Sequence, residues 1–174
     1  MNLYLKKPSI EDEENYYVYL KEWKDEFIYP TASSYGKNSY QELLKRLELD
    51  ELNLIDPKTR VPASTYMLID QSNEIYGFIN IRHRLNDDLL LYNGNIGYGI
   101  KPSKRLQSYG KLILKLGLEK AKELGLHKVL ITCNEENIAS RKTIEANHGV
   151  LENKIFKTDG YILRYWIDLT KENK

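Results

Sequence analysis

A basic turn between a predicted strand and a predicted helix carries the residue types best suited to binding an anion. Lys104, Arg105 and Lys111 supply positive charge, and Ser108 and Gly110 are small enough to let a ligand approach the backbone. The first N–H groups of a helix lack partners inside the helix and lie at the positive end of its dipole. The turn from Lys104 to Lys111 is therefore predicted to hold a phosphate group. A plain helix start with solvated lysines is the alternative.

Two glycines in the strand before this turn point the same way. Gly97 and Gly99 alternate with Ile96, Tyr98 and Ile100, so both glycines lie on one face of the strand. Glycine weakens a strand and often marks the close approach of a ligand or another segment of chain, although a bulge would also explain it. Beside an anion-binding turn, the pair favours a ligand lying along the strand.

The elements that position this turn follow an α+β order. The predicted strands are 1–6, 65–69, 75–81, 96–100, 128–132, 150–155 and 161–169. The predicted helices are 9–27, a second helix that begins after its cap at Ser39, 108–124 and 137–147. Ser39 and Glu42 form a capping-box pattern, and Gly125 occupies a C-cap position. The order predicts a layered fold with a central mixed sheet of about seven strands flanked by about four helices.

The composition is that of a single globular domain spanning residues 1–174. Lys and Arg number 26 against 25 Asp and Glu, a net charge of +1, so nothing in the charge points to a nucleic-acid or membrane partner. Cys133 is the only cysteine, which excludes an internal disulfide, and the three histidines lack zinc-ligand spacing, so no metal is expected. No signal peptide or apolar span is evident, and a cytoplasmic protein is expected.

Arg105-Leu106-Gln107-Ser108-Tyr109-Gly110, between a strand and a helix, is similar to the Arg/Gln-x-x-Gly-x-Gly/Ala pyrophosphate loop of the GNAT N-acetyltransferases. The downstream order also resembles that family, with Asn137-Ile138-Ala139-Ser140 opening a helix and Asn147-His148-Gly149 closing it. Residues 81–86, Ile-Arg-His-Arg-Leu-Asn, resemble a bacterial subgroup of predicted acetyltransferases. The resemblance is strong in the second half of the chain, whereas residues 1–60 match only in the order of elements.

The resemblance implies a GNAT-like fold that binds acetyl-CoA as acyl donor. Residues 64–170 would form the cofactor-binding core, and residues 1–60 the helices on the acceptor side. The implied cofactor-binding residues fall on the strand, the turn and the later helix: Tyr98, Gly99, Ile100, Arg105, Leu106, Gln107, Ser108, Tyr109, Gly110, Lys111, Asn137, Ser140 and Lys142. The backbone of the strand would pair with the pantetheine arm, and the turn would hold the pyrophosphate.

The sequence departs from the family pattern at three positions. Ser108 replaces the first loop glycine, and Ile144 replaces a tyrosine that many members use as general acid. Asn95 stands where members often carry a carboxylate base, so it could orient a water or substrate but could not accept a proton. His83 is the alternative base, because an unperturbed imidazole pKa of about 6.5 suits that task. Glu135 and Glu145 are further candidates, although solvated surface positions explain both.

These observations predict direct transfer of an acetyl group from acetyl-CoA to a primary amine of a small molecule or peptide. An acyl-cysteine at Cys133 is the covalent alternative, and a small buried side chain is the simpler interpretation. A second hypothesis is an acyl-CoA sensor or interaction module that keeps the donor site without the chemistry. The family resemblance allows a monomer or a homodimer.

Overall fold

The computed structural model describes residues 2–34, 39–56, 58–158 and 160–170. The strands are β1 (Tyr4–Lys6), β2 (Ala63–Ile69), β3 (Ile75–Arg82), β4 (Ile96–Ile100), β5 (Lys128–Asn134), β6 (Val150–Lys157) and β7 (Gly160–Asp168). The α-helices are α1 (Glu13–Trp23), α2 (Tyr40–Glu51), α3 (Tyr109–Glu123) and α4 (Ile138–Glu145). Short 3-10 turns cover Ile10–Asp12, Thr31–Ser33 and Pro102–Lys104, and a π-helical turn covers Leu89–Asn93.

The strands form two antiparallel groups that meet at β4 and β5. One sheet has the order β1-β2-β3-β4 and the other the order β5-β7-β6. At the start of β4 the Asn95 N–H donates to the Leu130 carbonyl at 2.7 Å, which joins the sheets. Among the described residues, no backbone hydrogen bond links 96–100 to 131–134, so the sheets separate beyond this junction. We call the space between β4 and the end of β5 the split.

Each face of the four-stranded sheet is covered by a helical layer. Helices α3 and α4 share one core with both sheets, and α1 and α2 cover the opposite face with an aromatic cluster that includes Tyr16, Tyr19 and Trp23. Burial on both faces explains why β2 and β3 read as nearly continuous apolar runs.

The α+β architecture with seven strands and four α-helices is confirmed, and so are the capping box at Ser39 and the positive φ of Gly125 (84°). The central sheet is divided at the β4–β5 junction. Helix α1 ends at Trp23, earlier than predicted, because Lys24 leaves helical geometry with a φ of 49°. The segment between α1 and α2 contains the 3-10 turn Thr31–Ser33, and residues 35–38 lie outside the described residues. In the described part of the chain, no helix is both long enough and apolar enough to span a bilayer.

Candidate functional site

The backbone of β4 presents two different edges. Lys101 N–H donates to the Tyr76 carbonyl at 2.9 Å, and the register places Gly99 opposite Phe78. In an antiparallel pair, alternate residues direct their N–H and C=O groups to the partner strand. Gly99 therefore directs its backbone groups toward β3, whereas Tyr98 and Ile100 direct theirs into the split. Only these two of the three predicted strand positions can pair with a ligand there.

The two strand glycines make room for a segment of the protein itself. A Cβ added to Gly99 would clash with the Tyr29 carbonyl oxygen, and one added to Gly97 would lie 3.5 Å from Pro30 Cβ. The segment after α1 therefore covers this face of β4. The close approach of the protein's own chain, at Tyr29 and Pro30, therefore explains the two glycines, and the prediction of a ligand along the strand no longer rests on them.

The turn after β4 has the backbone of an anion-binding loop. Leu106 and Ser108 have φ values of 59° and 65°, while the intervening residue does not, and such alternation turns successive N–H groups toward one point. Within the described part of the chain, none of the N–H groups of residues 106–110 donates a hydrogen bond to another protein group. Leu106 is fully exposed. Ser108, which replaces the first glycine of the family's loop, thus adopts the left-handed backbone conformation that glycine adopts most easily.

Two of the three cations in the turn already have anionic partners. Lys104 Nζ lies 2.9 Å from Glu74, and an Arg105 guanidinium nitrogen lies 2.7 Å from Glu26. Arg105 also donates through Nε to the Ile100 carbonyl at 3.1 Å, and its guanidinium lies 5.2 Å from the Trp23 ring centroid. The N–H groups of residues 106–110 are therefore expected to contribute more to anion binding than the side chains of Lys104 and Arg105, whereas the sequence had pointed to those side chains.

Gly110 has a packing role in the same turn. A Cβ added there would lie 3.2 Å from the Thr143 hydroxyl of α4, closer than side chains ordinarily approach. Gly110 lets the start of α3 pack against α4. Lys111 and Gln107 are exposed, and Gln107 donates to the Ser103 carbonyl at 3.0 Å, which closes the turn.

Helix α4 borders the split on the β5 side. The Asn137 side-chain oxygen accepts the Ser140 N–H at 3.0 Å, so Asn137 is the N-cap of this helix, and Lys142 is exposed. Cys133, at the end of β5, is buried, and burial raises the pKa of its thiol to about 11. The Tyr98 hydroxyl reaches from β4 to within 3.0 Å of Ser140 Oγ.

Asn95 uses both the oxygen and the nitrogen of its side-chain amide to hold the junction of the sheets. The side chain is 3% exposed. Its oxygen accepts the Leu130 N–H at 2.9 Å, and its nitrogen donates to the Arg82 carbonyl at 3.2 Å. With both ends engaged, the Asn95 amide has a positioning role at the junction.

His83 belongs to a polar network on the other side of β4. His83 Nε2 lies 2.8 Å from Ser64 Oγ, and that hydroxyl donates to Glu51 at 2.9 Å, while Lys7 pairs with Glu51 at 2.6 Å. Burial lowers the pKa of His83, although the Glu51 carboxylate opposes this. Strand β4 stands between β3 and the split, so the fold does not bring His83 to the turn and α4.

The other carboxylates considered from sequence also have partners. Glu135 pairs with Lys154 at 3.1 Å, and Glu145 accepts a hydrogen bond from the buried Tyr165 hydroxyl at 3.1 Å. Across the described ranges, no group of three or more His, Cys, Asp or Glu side chains is arranged to hold a metal ion.

Sequence reasoning missed the contribution of the segment after α1. Trp23, Glu26 and Tyr29 contact β4 or the basic turn, although they precede it by about 70 residues or more in the chain. The strand glycines were the available signal, since they marked a close approach without revealing which segment made it.

The family comparison identifies one domain type over most of the chain. A family model described as an acetyltransferase (GNAT) domain matches residues 2–150. Comparison with curated proteins gives no match.

Solved structures show the same fold at low sequence identity. A ribosomal-protein-S5-alanine acetyltransferase from Vibrio fischeri is 16% identical, with 97% of this chain and 93% of that chain covered and a TM-score of 0.67. A Vibrio cholerae spermidine N-acetyltransferase in complex with CoA and spermine is 16% identical, with 97% and 96% covered and a TM-score of 0.62. A dodecameric structure of the V. cholerae spermidine enzyme is 14% identical, with 97% and 94% covered and a TM-score of 0.62.

Proposed function

Because the chain belongs to the GNAT acetyltransferase family, we propose that it transfers an acetyl group from acetyl-CoA directly to a primary amine. The observation that carries the proposal is that the anion-binding turn lies directly beside the split between the two sheets. The N–H groups of residues 106–110, which have no partner among the described residues, follow the end of β4, where the split opens. A ligand with a pyrophosphate at one end and an extended amide-containing arm matches that arrangement.

The residues of the chain fit such a donor. The N–H groups of residues 106–110 would hold the pyrophosphate, with Lys111 and Arg105 adding charge. The backbone groups of Tyr98 and the Ile100 N–H, which face the split, would pair with the pantetheine arm, while the Ile100 carbonyl accepts from Arg105. The Tyr98 N–H would also polarise the acyl carbonyl and stabilise the developing oxyanion.

Direct transfer is favoured over a covalent enzyme intermediate. The nucleophile in such chemistry is a thiolate, and Cys133 is kept as a thiol at neutral pH because burial raises its pKa to about 11. We therefore propose that Cys133→Ser retains acetyl transfer. A stable acyl adduct on Cys133, seen by mass spectrometry after incubation with acetyl-CoA, would contradict this assignment.

We propose that neither Asn95 nor His83 accepts the proton that the amine releases. The Asn95 amide is hydrogen-bonded at both its oxygen and its nitrogen, and His83 lies beyond β4. We propose that the amine binds in its neutral form and loses its proton to water after attack. The reaction is then expected to accelerate with pH until the acceptor amine is fully neutral.

The same observation supports a second candidate, an acyl-CoA sensor that binds the donor without turnover. Neither predicted base faces the split, and the turn carries Ser108 where the family has glycine. A sensor would keep the backbone cradle and would not need a proton acceptor near the acyl group.

One experiment separates the two candidates. Binding of acetyl-CoA is measured by calorimetry, and thiol release is then followed with polyamines, amino-terminal peptides and simple primary amines. Turnover that depends on the amine supports the enzyme, whereas binding without turnover across the panel supports the sensor. Absence of binding would eliminate both.

The remaining assignments are proposals of the same kind. Residues 1–60 would supply the acceptor side, since Tyr29 and Pro30 cover one face of β4, and residues 64–170 would form the donor core. A cytoplasmic location and a monomeric or homodimeric state stay predictions; fractionation of cells and sedimentation of the purified chain would test them.

A further inference from the structure

The hairpin that joins β2 to β3 carries an acidic side chain that holds two lysines of another segment. One carboxylate oxygen of Glu74 lies 2.9 Å from Lys101 Nζ, and the other lies 2.9 Å from Lys104 Nζ. Lys101 also pairs with Glu22 of α1 at 2.7 Å. The two lysines lie before and at the end of the 3-10 turn that leads into residues 106–110. Glu74 therefore fastens the start of the basic turn to the hairpin.

Tyr76, near the start of β3, supports the basic turn at both of its ends. Lys104 Nζ lies 4.3 Å from the centroid of the Tyr76 ring. The Tyr109 ring packs against Tyr76 in a T-shaped arrangement, with the centroids 4.9 Å apart. Tyr76 is fully buried, so its ring is a fixed surface for both contacts. The residues between 104 and 109 are thus held at each end against one side chain.

A buried carboxylate fixes the hairpin that carries these groups. Asp70 Oδ1 accepts the Ser72 N–H at 2.9 Å and the Glu74 N–H at 3.1 Å, and Oδ2 accepts the Tyr76 hydroxyl at 3.2 Å. Asp70 therefore ties the backbone at Glu74 and the ring of Tyr76 into one hydrogen-bonded unit. We call Asp70, Glu74 and Tyr76 the platform.

We propose that Glu74 is a positioning residue for the acyl donor, because through the platform it holds the basic turn in the conformation that binds the pyrophosphate; this inference rests on the proposed function. Leu106 and Ser108 adopt left-handed backbone, which is strained for both residues and needs support from the surrounding structure. Donors that are ordered before the ligand arrives bind it more tightly. A carboxylate beside the turn repels a phosphate, so any benefit from Glu74 must come from the geometry it imposes.

The ionic form of Glu74 persists at neutral pH. Burial acts to raise its pKa, but hydrogen bonds from Lys101 and Lys104 outweigh burial and lower the pKa below its ordinary value. The hydrogen bond with Glu74 in turn raises the pKa of Lys104. The contact between hairpin and turn is therefore maintained under the conditions in which the donor would bind.

The test compares the affinity for CoA in two variants by calorimetry. Glu74→Gln removes the charge that holds both lysines, and Glu74→Asp keeps the charge on a side chain one methylene shorter, which should no longer reach both. Each variant should raise the dissociation constant for CoA by about fivefold to tenfold. If Glu74 acted through charge alone, Glu74→Gln would bind CoA more tightly and Glu74→Asp would match wild type.

Two further measurements separate positioning from a general loss of structure. Urea denaturation shows that each variant is folded under the conditions of the binding measurement. Where turnover is observed, the KM for acetyl-CoA should rise by the same factor as the dissociation constant, with a much smaller effect on kcat. Glu123→Gln is the matched control, since it removes a carboxylate paired with Lys120 at 2.7 Å near the far end of α3. Its affinity for CoA should equal that of wild type.

Three outcomes decide the question. Weaker binding of CoA in either Glu74 variant, with Glu123→Gln at wild-type affinity, supports the platform. Affinity that is equal to or tighter than wild type in both Glu74 variants overturns the inference and leaves the proposed function intact. Failure of wild type to bind CoA overturns the proposed function, and the inference with it.

Discussion

The two ends of β4 differ in how the protein satisfies its polar groups. At the start of the strand, the Asn95 side chain and backbone are bonded to Leu130 and Arg82, and little of the residue is exposed. At the other end, the N–H groups of residues 106–110 have no partner in the described part of the chain, and two residues adopt left-handed backbone.

We call the start of β4, at Asn95, the closed end, and the turn that follows the strand, at residues 106–110, the open end. The closed end holds the two sheets together, whereas the open end has backbone donors available to a ligand. Buried polar groups that are fully bonded stabilise a unique arrangement, whereas unpaired donors in a strained turn are retained when a ligand completes them. The closed end should therefore respond to substitution through the stability of the fold, and the open end through the affinity for the acyl donor.

The largest effect is expected at the closed end. Asn95→Ala removes both side-chain hydrogen bonds and leaves the Leu130 N–H and the Arg82 carbonyl without those partners. The free energy of unfolding should fall by about 2–4 kcal/mol, measured by urea denaturation. Asn134→Ala, at the exposed end of β5, should change it by less than about 0.5 kcal/mol. Equal stability of the two variants would remove the distinction between the ends of β4.

The covered face of β4 should give the next largest effect. Gly99→Ala places a Cβ against the Tyr29 carbonyl, and the resulting displacement should lower the free energy of unfolding by about 1–3 kcal/mol. Gly160→Ala is the control, since a Cβ there meets no atom within 4 Å. Thermal denaturation of both variants makes the comparison, and a neutral Gly99→Ala would mean that the Tyr29 segment is not fixed on the strand.

At the open end, charge substitutions should alter affinity in opposite directions. Glu26→Gln releases Arg105 and should tighten acetyl-CoA binding by about threefold, because a competing carboxylate is removed. Arg105→Ala should weaken binding by about threefold to tenfold, less than for an unpaired arginine. Calorimetry at two salt concentrations measures both. Weaker binding in Glu26→Gln would instead show that the ion pair holds Arg105 in its binding position.

The smallest effect concerns His83 and the dependence of stability on pH. Burial lowers its pKa in the folded protein below the ordinary 6.5, so the unfolded chain takes up the proton first as pH falls. The associated stability is complete above pH 6.5 and is lost as pH decreases through the folded pKa. The decline in unfolding free energy from about pH 7.5 to 5.5 should be shallower in His83→Gln than in wild type. Identical slopes would contradict this expectation.

Much of the fold followed from local sequence signals. The capping box at Ser39, the C-cap at Gly125 and the apolar runs of β2 and β3 each depend on neighbouring residues, so they could be recognised along the chain. The turn at 104–111 was located for the same reason. Its free N–H groups follow from the start of a helix and do not need knowledge of distant segments.

The contacts between distant segments could not be derived in this way. The ion pair of Arg105 with Glu26 and the approach of Tyr29 to Gly99 depend on where the segment after α1 crosses β4. The network of His83 with Ser64 and Glu51 likewise needs the packing of α2 against the start of β2. Sequence identified chemically capable side chains, but their partners were set by the tertiary arrangement.

The alternating direction of the β4 backbone has a consequence for how this region can change in evolution. Gly99 faces β3 while Tyr98 and Ile100 face the split, so neighbouring residues serve different partners. Replacing a side chain leaves this division in place. Inserting or deleting a single residue would turn the backbone groups that now bond to β3 toward the split, and those that now face the split toward β3. Both the pairing of β4 with β3 and the backbone groups available in the split would be lost together. Substitutions in the strand are therefore expected to be tolerated more readily than insertions or deletions.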